Sequence, residues 1–205
     1  MSVWHDLKRM DIAVDIILDV GANIGQTAAE FANAWPKATV YSFEPVADTF
    51  AQLLTNTKPF RNVKCFNCAI GSVDGRAEIA IHPMSVLNSL DMNHDSPQPT
   101  ETVIVETIDQ FCKRQEITRI DLLKTDTEGF EAEVLAGASG MLAGSVRAVF
   151  VEVCLEPTPS RHNPLSEILQ ILTPFGFELA GIYDQTAHNG IKLVFANALF
   201  VQSAV

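Results

Sequence analysis

Four carboxylates lie close together in the segment LLKTDTEGFEAEVLAG, residues 122–137: Asp126, Glu128, Glu131 and Glu133. The apolar residues before them predict a buried strand, and those after them predict a helix. A carboxylate at a strand end can accept a proton from a reacting hydroxyl or face a cationic ligand. In the first turn of a helix, acids are favoured by the helix dipole, by about 0.3–1 kcal/mol. We therefore assign chemistry to the first two acids and a structural role to the last two.

Three further side chains could act beside this segment. Glu152 lies within the apolar run VFVEVC, where burial would raise its pKa and make it a second candidate for the general base. His162 precedes a helix and is another candidate proton acceptor. Lys124 alternates with Asp126 along the strand, so it can orient that acid or pair with it. Asp126 and Glu152 are oxygen ligands of the kind Mg²⁺ accepts, but without a third ligand we expect no metal.

The elements around these residues alternate between strands and helices. This order predicts a Rossmann-like, doubly wound α/β fold with a mostly parallel seven-stranded sheet. The last two strands follow one another without a helix and are joined at Asn189-Gly190, so the last strand should run antiparallel. We expect one domain over residues 1–205, with a long mobile loop at residues 84–101 that acts as a lid.

The first predicted strand ends in a glycine turn, DVGANIG, residues 19–25. Gly21 and Gly25 allow the backbone to approach a ligand closely, and the following helix N-terminus attracts negative charge. The turn lacks the second glycine of the dinucleotide fingerprint, where Asn23 stands. Glu44 ends the second strand, where a carboxylate can accept hydrogen bonds from ribose hydroxyls. Together these residues predict a nucleoside-containing ligand.

Two other functions are compatible with such a fold. One is a nicotinamide-dependent oxidoreductase. Short-chain dehydrogenases are excluded, because the fourth residue after Tyr41 is Pro45 and the fourth after Tyr183 is Ala187, where those enzymes need lysine. The other is a nucleotide-binding module without catalysis, which the acids around Asp126 disfavour.

The stretches DVGANIGQTA, FEP, AIGSVDG and LLKTDTEGFEAEVLAG, in this order, together resemble the FkbM family of methyltransferases. The similarity extends from about Asp19 to about Val153, and K-x-D-x-E-G-x-E is its most specific motif. At NSL, residues 88–90, the chain departs from the paired serines that the family often shows.

The resemblance implies a class I fold that binds S-adenosylmethionine and methylates a hydroxyl of a sugar or natural product. The glycine turn would approach the methionyl part, Glu44 the ribose, and Ala69 with Ile70 the adenine. The implied cofactor contacts are Asp19, Gly21, Ala22, Asn23, Gly25, Glu44, Pro45, Ala69, Ile70 and Ser89. From the residues themselves we predict that Asp126 and Glu128 shape the catalytic site, with Glu152 or His162 as the proton acceptor.

The composition limits which binding partners and which cellular compartment we expect. A net charge of −11 argues against binding to nucleic-acid backbones and anionic membrane surfaces. The small hydroxylated substrate is what the family resemblance implies. The four cysteines indicate small buried residues rather than a metal or disulfide set. Without a secretory signal or an apolar run of eighteen residues, a cytoplasmic location is expected.

Overall fold

The computed structural model describes residues 3–9, 13–81, 99–156 and 163–203 of the chain. The strands are β1 (Ile16–Val20), β2 (Thr39–Phe43), β3 (Val63–Phe66), β4 (Ala69–Ile70), β5 (Gly75–Ala80), β6 (Thr100–Glu106), β7 (Leu122–Thr125), β8 (Ala148–Cys154), β9 (Phe177–His188) and β10 (Lys192–Gln202). The helices are α1 (Val3–Arg9), α2 (Gln26–Ala34), α3 (Ala47–Thr57), α4 (Ile108–Arg114), α5 (Glu131–Ala136), α6 (Ser139–Leu142) and α7 (Leu165–Leu172), followed by a 3₁₀ turn at Thr173–Phe175.

Seven strands form the main sheet, in the order β3-β2-β1-β7-β8-β10-β9. Strands β3, β2, β1, β7 and β8 are mutually parallel, whereas β10 runs antiparallel to both β8 and β9. The short connection at residues 189–191 allows only an antiparallel pair, because a parallel pair needs a long crossover. The predicted fold class is confirmed, including the antiparallel last strand.

Both faces of the main sheet are covered, which explains why all four residues of β7 are buried and why β8 is apolar except at Glu152. Leu123 and Val149 belong to a buried cluster that includes residues of α4, α5 and α7. Leu122 and Phe150 belong to a second cluster with residues of α1 and α2. Consecutive residues of the same strand therefore enter opposite cores. A shift of a strand by one residue would move each side chain into the wrong core.

Helix α1 was not expected from the sequence. Its Trp4 ring lies 4.8 Å from the ring of Phe31, and 5.8 Å from those of Trp35 and Phe150. These edge-on aromatic contacts fix α1 against the main sheet. The burial comes from residues distant in sequence, so the seven-residue segment alone gave little sign of it.

The apolar pattern of NVKCFNCAI, residues 62–70, predicts one strand, and this prediction is wrong. Strand β3 belongs to the main sheet, whereas β4 belongs to a three-stranded sheet ordered β4-β6-β5. Between them, the Asn67 side-chain amide donates to the carbonyls of Glu44 and Pro45, at 2.9 and 2.8 Å. The Asn67 side chain thus binds the backbone that follows β2, where the backbone pairing between β2 and β3 has ended. Cys65 and Cys68 are free thiols, as expected.

Two other predicted boundaries changed. Strand β6 begins at Thr100, inside the predicted 84–101 loop, and residues 82–98 lie outside the described residues. The helix predicted over FEAEVLAGASGML is divided into α5 and α6. The Asp109 carboxylate accepts the N–H groups of Gly140 and Met141, at 2.8 and 2.9 Å, and so satisfies the start of α6.

The order of the main sheet places a crevice at its centre. From β1 the chain builds outward through β2 to β3, and it then returns to the other side of β1 to form β7 and β8. Ligands of open α/β sheets bind at the carboxyl ends of the strands on either side of such a reversal. The glycine turn after β1 and Asp126 after β7 both lie there. Among the described residues, no helix has the length and apolarity to span a membrane.

Neighbouring leucines of α3 provide a test of this packing. Leu53 is fully buried, whereas Leu54 is 49% exposed. Leu53→Ala should lower the free energy of unfolding by about 2–5 kcal/mol, because it leaves a cavity. Leu54→Ala, the matched control, should stay within about 1 kcal/mol. Urea unfolding followed by circular dichroism measures both, and equal losses would contradict the placement of α3.

Candidate functional site

The glycine turn after β1 is pressed against the end of β7. Gly21 has φ +72°, and a Cβ atom added there would lie 1.9 Å from the carbonyl oxygen of Asp126. The Asp126 N–H also donates to the Val20 carbonyl, at 3.2 Å. A side chain at position 21 is therefore excluded both by the backbone conformation and by the contact. This close approach places the turn and the acid in one site.

Glu44 joins this turn to the end of β2. Its Oε2 accepts the N–H of Asn23, at 3.1 Å, and its Oε1 accepts the N–H of Val46, at 3.0 Å. Burial raises the pKa of Glu44 to about 7, although both N–H donors favour the charged form. Each oxygen retains a further acceptor position. The structure thus places Glu44 beside the glycine turn, where a nucleoside ligand was predicted.

Lys124 is a buried cation beneath the turn. Its Nζ donates to the Gly21 carbonyl at 3.0 Å and lies 3.3 Å from Asp19 Oδ1 and 3.6 Å from Asp126 Oδ2. Burial disfavours the ammonium ion, but the charges of Asp19 and Asp126 raise the pKa of Lys124 overall. The ion pair expected with Asp126 is present. Because Asp19 is buried against Lys124 and Ser42, its carboxylate supports the turn from below.

The segment after β7 is shaped by Glu131. This carboxylate is fully buried, and its Oε1 accepts from the Thr127 N–H at 2.8 Å, the Thr127 hydroxyl at 3.0 Å and the Gly129 N–H at 3.3 Å. Glu128 and Gly129 both have positive φ, of +56° and +105°. A structural role for Glu131 was expected, but the contacts differ from a simple helix-dipole effect. Glu131 stabilises the tight bend in which Glu128 lies.

Three carboxylates meet at the crevice. One carboxylate oxygen from each of Asp126, Glu128 and Glu152 can be chosen so that all lie within 4.8 Å of one another. Burial raises the pKa of Glu152 to about 9, and the nearby charge of Asp126 and a hydrogen bond between the two side chains add to the rise. The raised pKa expected for Glu152 is confirmed. Glu152 therefore holds a proton at neutral pH, and its hydrogen bond shares that proton with the Asp126 carboxylate.

The same three side chains could also act as the ligands of a divalent cation. Carboxylate oxygens are the ligands that Mg²⁺ and Ca²⁺ prefer, and the structure adds Glu128, which was predicted as a site acid but not as a metal ligand, as the third carboxylate. A cation and a shared proton are two ways to offset the same negative charge. That no metal takes part stays a prediction.

The remaining predicted contacts fall into two groups. Ala69 and Ile70 are buried in β4, where they pair with β6, so an adenine contact from them would involve the backbone or the edge of their side chains. Ala22 is also buried, and its N–H donates to the Phe43 carbonyl at 2.9 Å. Ser89 and His162 lie outside the described residues. For all of these, the assigned roles stay predictions.

Residues 19–179 match the family model described as the methyltransferase FkbM domain. Among curated proteins, the 2-O-methyltransferase NoeI of Sinorhizobium fredii is 29% identical, over 78% of this chain and 72% of that protein. The hexuronic acid methyltransferase AglP of Haloferax volcanii is 29% identical, over 68% and 56%. The 31-O-demethyl-FK506 methyltransferase FkbM of Streptomyces tacrolimicus is 27% identical, over 83% and 75%.

A solved structure shares the fold. The 1,6-didemethyltoxoflavin-N1-methyltransferase of Burkholderia thailandensis, crystallised with 1,6-didemethyltoxoflavin and S-adenosylhomocysteine, superposes with a TM-score of 0.56. The match covers 98% of this chain and 76% of that one, at 12% identity. This similarity supports the sheet architecture.

The pKa of Glu44 predicts how stability changes with pH. Between the ordinary carboxyl value of 4.5 and about 7, the folded chain binds a proton that the unfolded chain has released. The free energy of unfolding should therefore fall as the pH rises through this range. Glu44→Gln removes the titration, so the parent should lose stability relative to this variant over the same range.

Thermal unfolding of the ligand-free chain at several pH values measures the effect. The exposed Glu178, in β9, provides a matched control, and Glu178→Gln should follow the parent curve. Parallel curves for the parent and Glu44→Gln would contradict the burial of an ionisable Glu44.

Proposed function

The chain belongs to the FkbM methyltransferase family and uses S-adenosylmethionine as its methyl donor, and we propose that the acceptor is a hydroxyl of a small hydroxylated molecule such as a sugar. The named activities of NoeI, AglP and FkbM support this acceptor class. The contact between Gly21 and Asp126 carries the proposal, because it places the turn for the donor next to the acids for the acceptor.

The residues of the crevice fit the donor. Because Gly21 has no side chain, the glycine turn packs directly against the Asp126 carbonyl, and the turn and the acid border the same crevice. Glu44 has acceptor positions left for ribose hydroxyls, and its location at the end of β2 suits that role. The carboxylates of Asp126, Glu128 and Glu152 favour a positively charged group nearby.

When bound, S-adenosylmethionine supplies an electrophilic methyl group on a positively charged sulfur. An alcohol is a poor nucleophile, so a base must accept its proton as the oxygen attacks. We assign this role to Asp126, which is 40% exposed and faces Lys124 on one side and Glu152 on the other. Glu152 holds a proton at neutral pH and donates a hydrogen bond within the pair. Alignment of donor and acceptor supplies the rest of the rate enhancement.

This proposal replaces the nicotinamide-dependent oxidoreductase, which the family assignment does not support. A binding module without catalysis would leave the three acids of two separate segments gathered in the crevice without a use. The proposal also includes a cytoplasmic location. The four cysteines are free thiols, as is usual in a reducing compartment.

Loss of the Glu44 carboxylate tests the donor site. Glu44→Ala should weaken S-adenosylmethionine binding by about tenfold or more, because hydrogen bonds to a charged group are worth about 1.5–3 kcal/mol. Isothermal titration calorimetry measures the affinity, and circular dichroism establishes that the variant is folded. Unchanged affinity in a folded Glu44→Ala variant would remove the ribose assignment.

Loss of the Asp126 charge tests the acceptor chemistry. Asp126→Asn should lower kcat by about 10²–10⁴-fold while folding and donor binding are retained, since general-base catalysis contributes that much. Release of S-adenosylhomocysteine is measured with a panel of neutral sugars, uronic acids and polyols. Glu133→Gln, two residues after the motif and within helix α5, serves as the matched control.

Parent-like turnover of Asp126→Asn would exclude Asp126 as the base. The assay is run with Mg²⁺ and with EDTA. If EDTA abolishes turnover and Mg²⁺ restores it, the three carboxylates hold a cation during the reaction. If EDTA has no effect, the shared-proton description applies.

A further inference from the structure

A polar groove of about 440 Å³ lies at β9, the edge strand of the main sheet, and is separate from the crevice proposed for S-adenosylmethionine. Its lining comes from helix α1 and strand β9: Asp6, Ala180, Gly181, Ile182, Tyr183, Asp184 and Gln185. Its volume is within the range of small-molecule sites. Two carboxylates, a phenol and an amide are among these side chains, whereas most ligand pockets are lined mainly by apolar groups. The groove therefore suits a ligand rich in hydroxyls.

Asn197 connects this groove to the acids of the crevice. It lies on β10, directly opposite Glu152 of β8 on one side and Tyr183 of β9 on the other. Residues that face one another across adjacent strands lie on the same face of the sheet. Adjacent strands are about 4.8 Å apart, so the groove begins roughly 10 Å from Glu152. That distance is about the length of a disaccharide.

The backbone of β9 and β10 is irregular at this point. The register shifts between the pairs that involve Phe195 and Asn197, and Asp184 has φ +47°, which is uncommon for a residue with a side chain. Such bulges change the direction in which side chains point. Here the Asn197 amide donates to Asp184 Oδ2 at 3.2 Å, so the two side chains on neighbouring strands form one polar surface.

The position of Tyr183 depends on a glycine. A Cβ atom at Gly181 would lie 2.6 Å from the Tyr183 hydroxyl, so the ring lies across this residue. The hydroxyl donates to Asp6 Oδ2 at 2.8 Å, which ties helix α1 to β9. The ring also packs against Phe150, with centroids 6.1 Å apart. The floor of the groove is thus a fixed aromatic ring beside two carboxylates.

We propose that this groove is a second acceptor subsite that binds a neutral or amino sugar next to the unit that is methylated. This inference rests on the proposed function and specifies its substrate. Adjacent hydroxyls of a sugar can donate to the carboxylates of Asp6 and Asp184, and the ring of Tyr183 provides an apolar surface for the sugar face. Because β9 is the outermost strand of the sheet, its backbone also offers hydrogen-bonding groups.

The charge of the groove determines which sugars it accepts. Asp6 and Asp184 are acidic, and no lysine or arginine is among the described residues that line the groove. The exposed Arg9 pairs with Asp6 at 3.4 Å, so these three side chains together leave one negative charge. A carboxylate on the ligand would be repelled at this position, so a uronic acid is excluded from the subsite. The methylated unit itself is not restricted by this argument, because it lies beside the three acids of the crevice.

The experiment is a nuclear magnetic resonance titration of the ¹⁵N-labelled full chain. The probes are cellobiose, a glucosamine disaccharide, digalacturonate and glucose, each at millimolar concentration with S-adenosylhomocysteine present. We expect shifts of the amides of Gly181, Gln185 and the Asn197 side chain with the first two probes. Digalacturonate should give none, and glucose should bind at least about tenfold more weakly than cellobiose, because it lacks the second unit.

Two variants that each remove one negative charge test whether sugar binding depends on the groove or on β9 in general. Asp184→Ala should weaken binding of the two disaccharides by about tenfold, a loss expected for a hydrogen bond to a charged group. Glu178→Ala, on the exposed part of the same strand, should bind them like the parent. Binding of S-adenosylhomocysteine, measured by calorimetry, should be the same in both variants.

The proposal is overturned if no probe binds, if digalacturonate binds as well as cellobiose, or if the two variants behave alike. It is also overturned if Asp184→Ala changes only self-association in sedimentation, since the groove would then be a protein contact. Failure of the proposed function has a different signature. The parent chain would then neither bind S-adenosylhomocysteine nor methylate any acceptor, whatever the state of the groove.

Discussion

The buried ammonium group of Lys124 is the interaction on which the rest of the site depends. It lies between β1 and β7, bonds the Gly21 carbonyl and faces the carboxylates of Asp19 and Asp126. Removing one member of such a buried pair leaves a charge without compensation, which is strongly unfavourable. The glycine turn and Asp126 are therefore held by the same cation, and neither can move far without the other. In the proposed function, donor binding and acceptor chemistry would both depend on this cation.

The second constraint on the site is its excess of negatively charged carboxylates. Asp126, Glu128 and Glu152 converge from two strand ends, and Glu131 is buried behind the bend that carries Glu128. Lys124 alone does not neutralise this group. A shared proton, the positively charged donor or a divalent cation each offsets part of the remaining charge. This excess of carboxylates makes the crevice favourable for a sulfonium and for removal of a proton from a hydroxyl.

Much of this arrangement could be predicted from the sequence, because its causes are local. Alternating elements gave the doubly wound sheet, and strand-end positions gave Glu44 and Asp126. Other features depend on contacts between distant segments. Helix α1 is stabilised by aromatic rings of α2 and β8, and β3 ends where Asn67 bonds to the chain beyond β2. Glu131 looked like an ordinary helix-start acid, since nothing in its spacing shows that it is buried. Tertiary packing decides such cases.

The central claim is that the donor lies between the glycine turn and Glu44, with its sulfur facing the three carboxylates. A crystal structure of the chain with S-adenosylhomocysteine tests it most directly. The account predicts ribose hydroxyls within hydrogen-bonding distance of Glu44 and the sulfur directed toward Asp126 and Glu152. A nucleoside bound elsewhere, or a sulfur directed away from these acids, would contradict it.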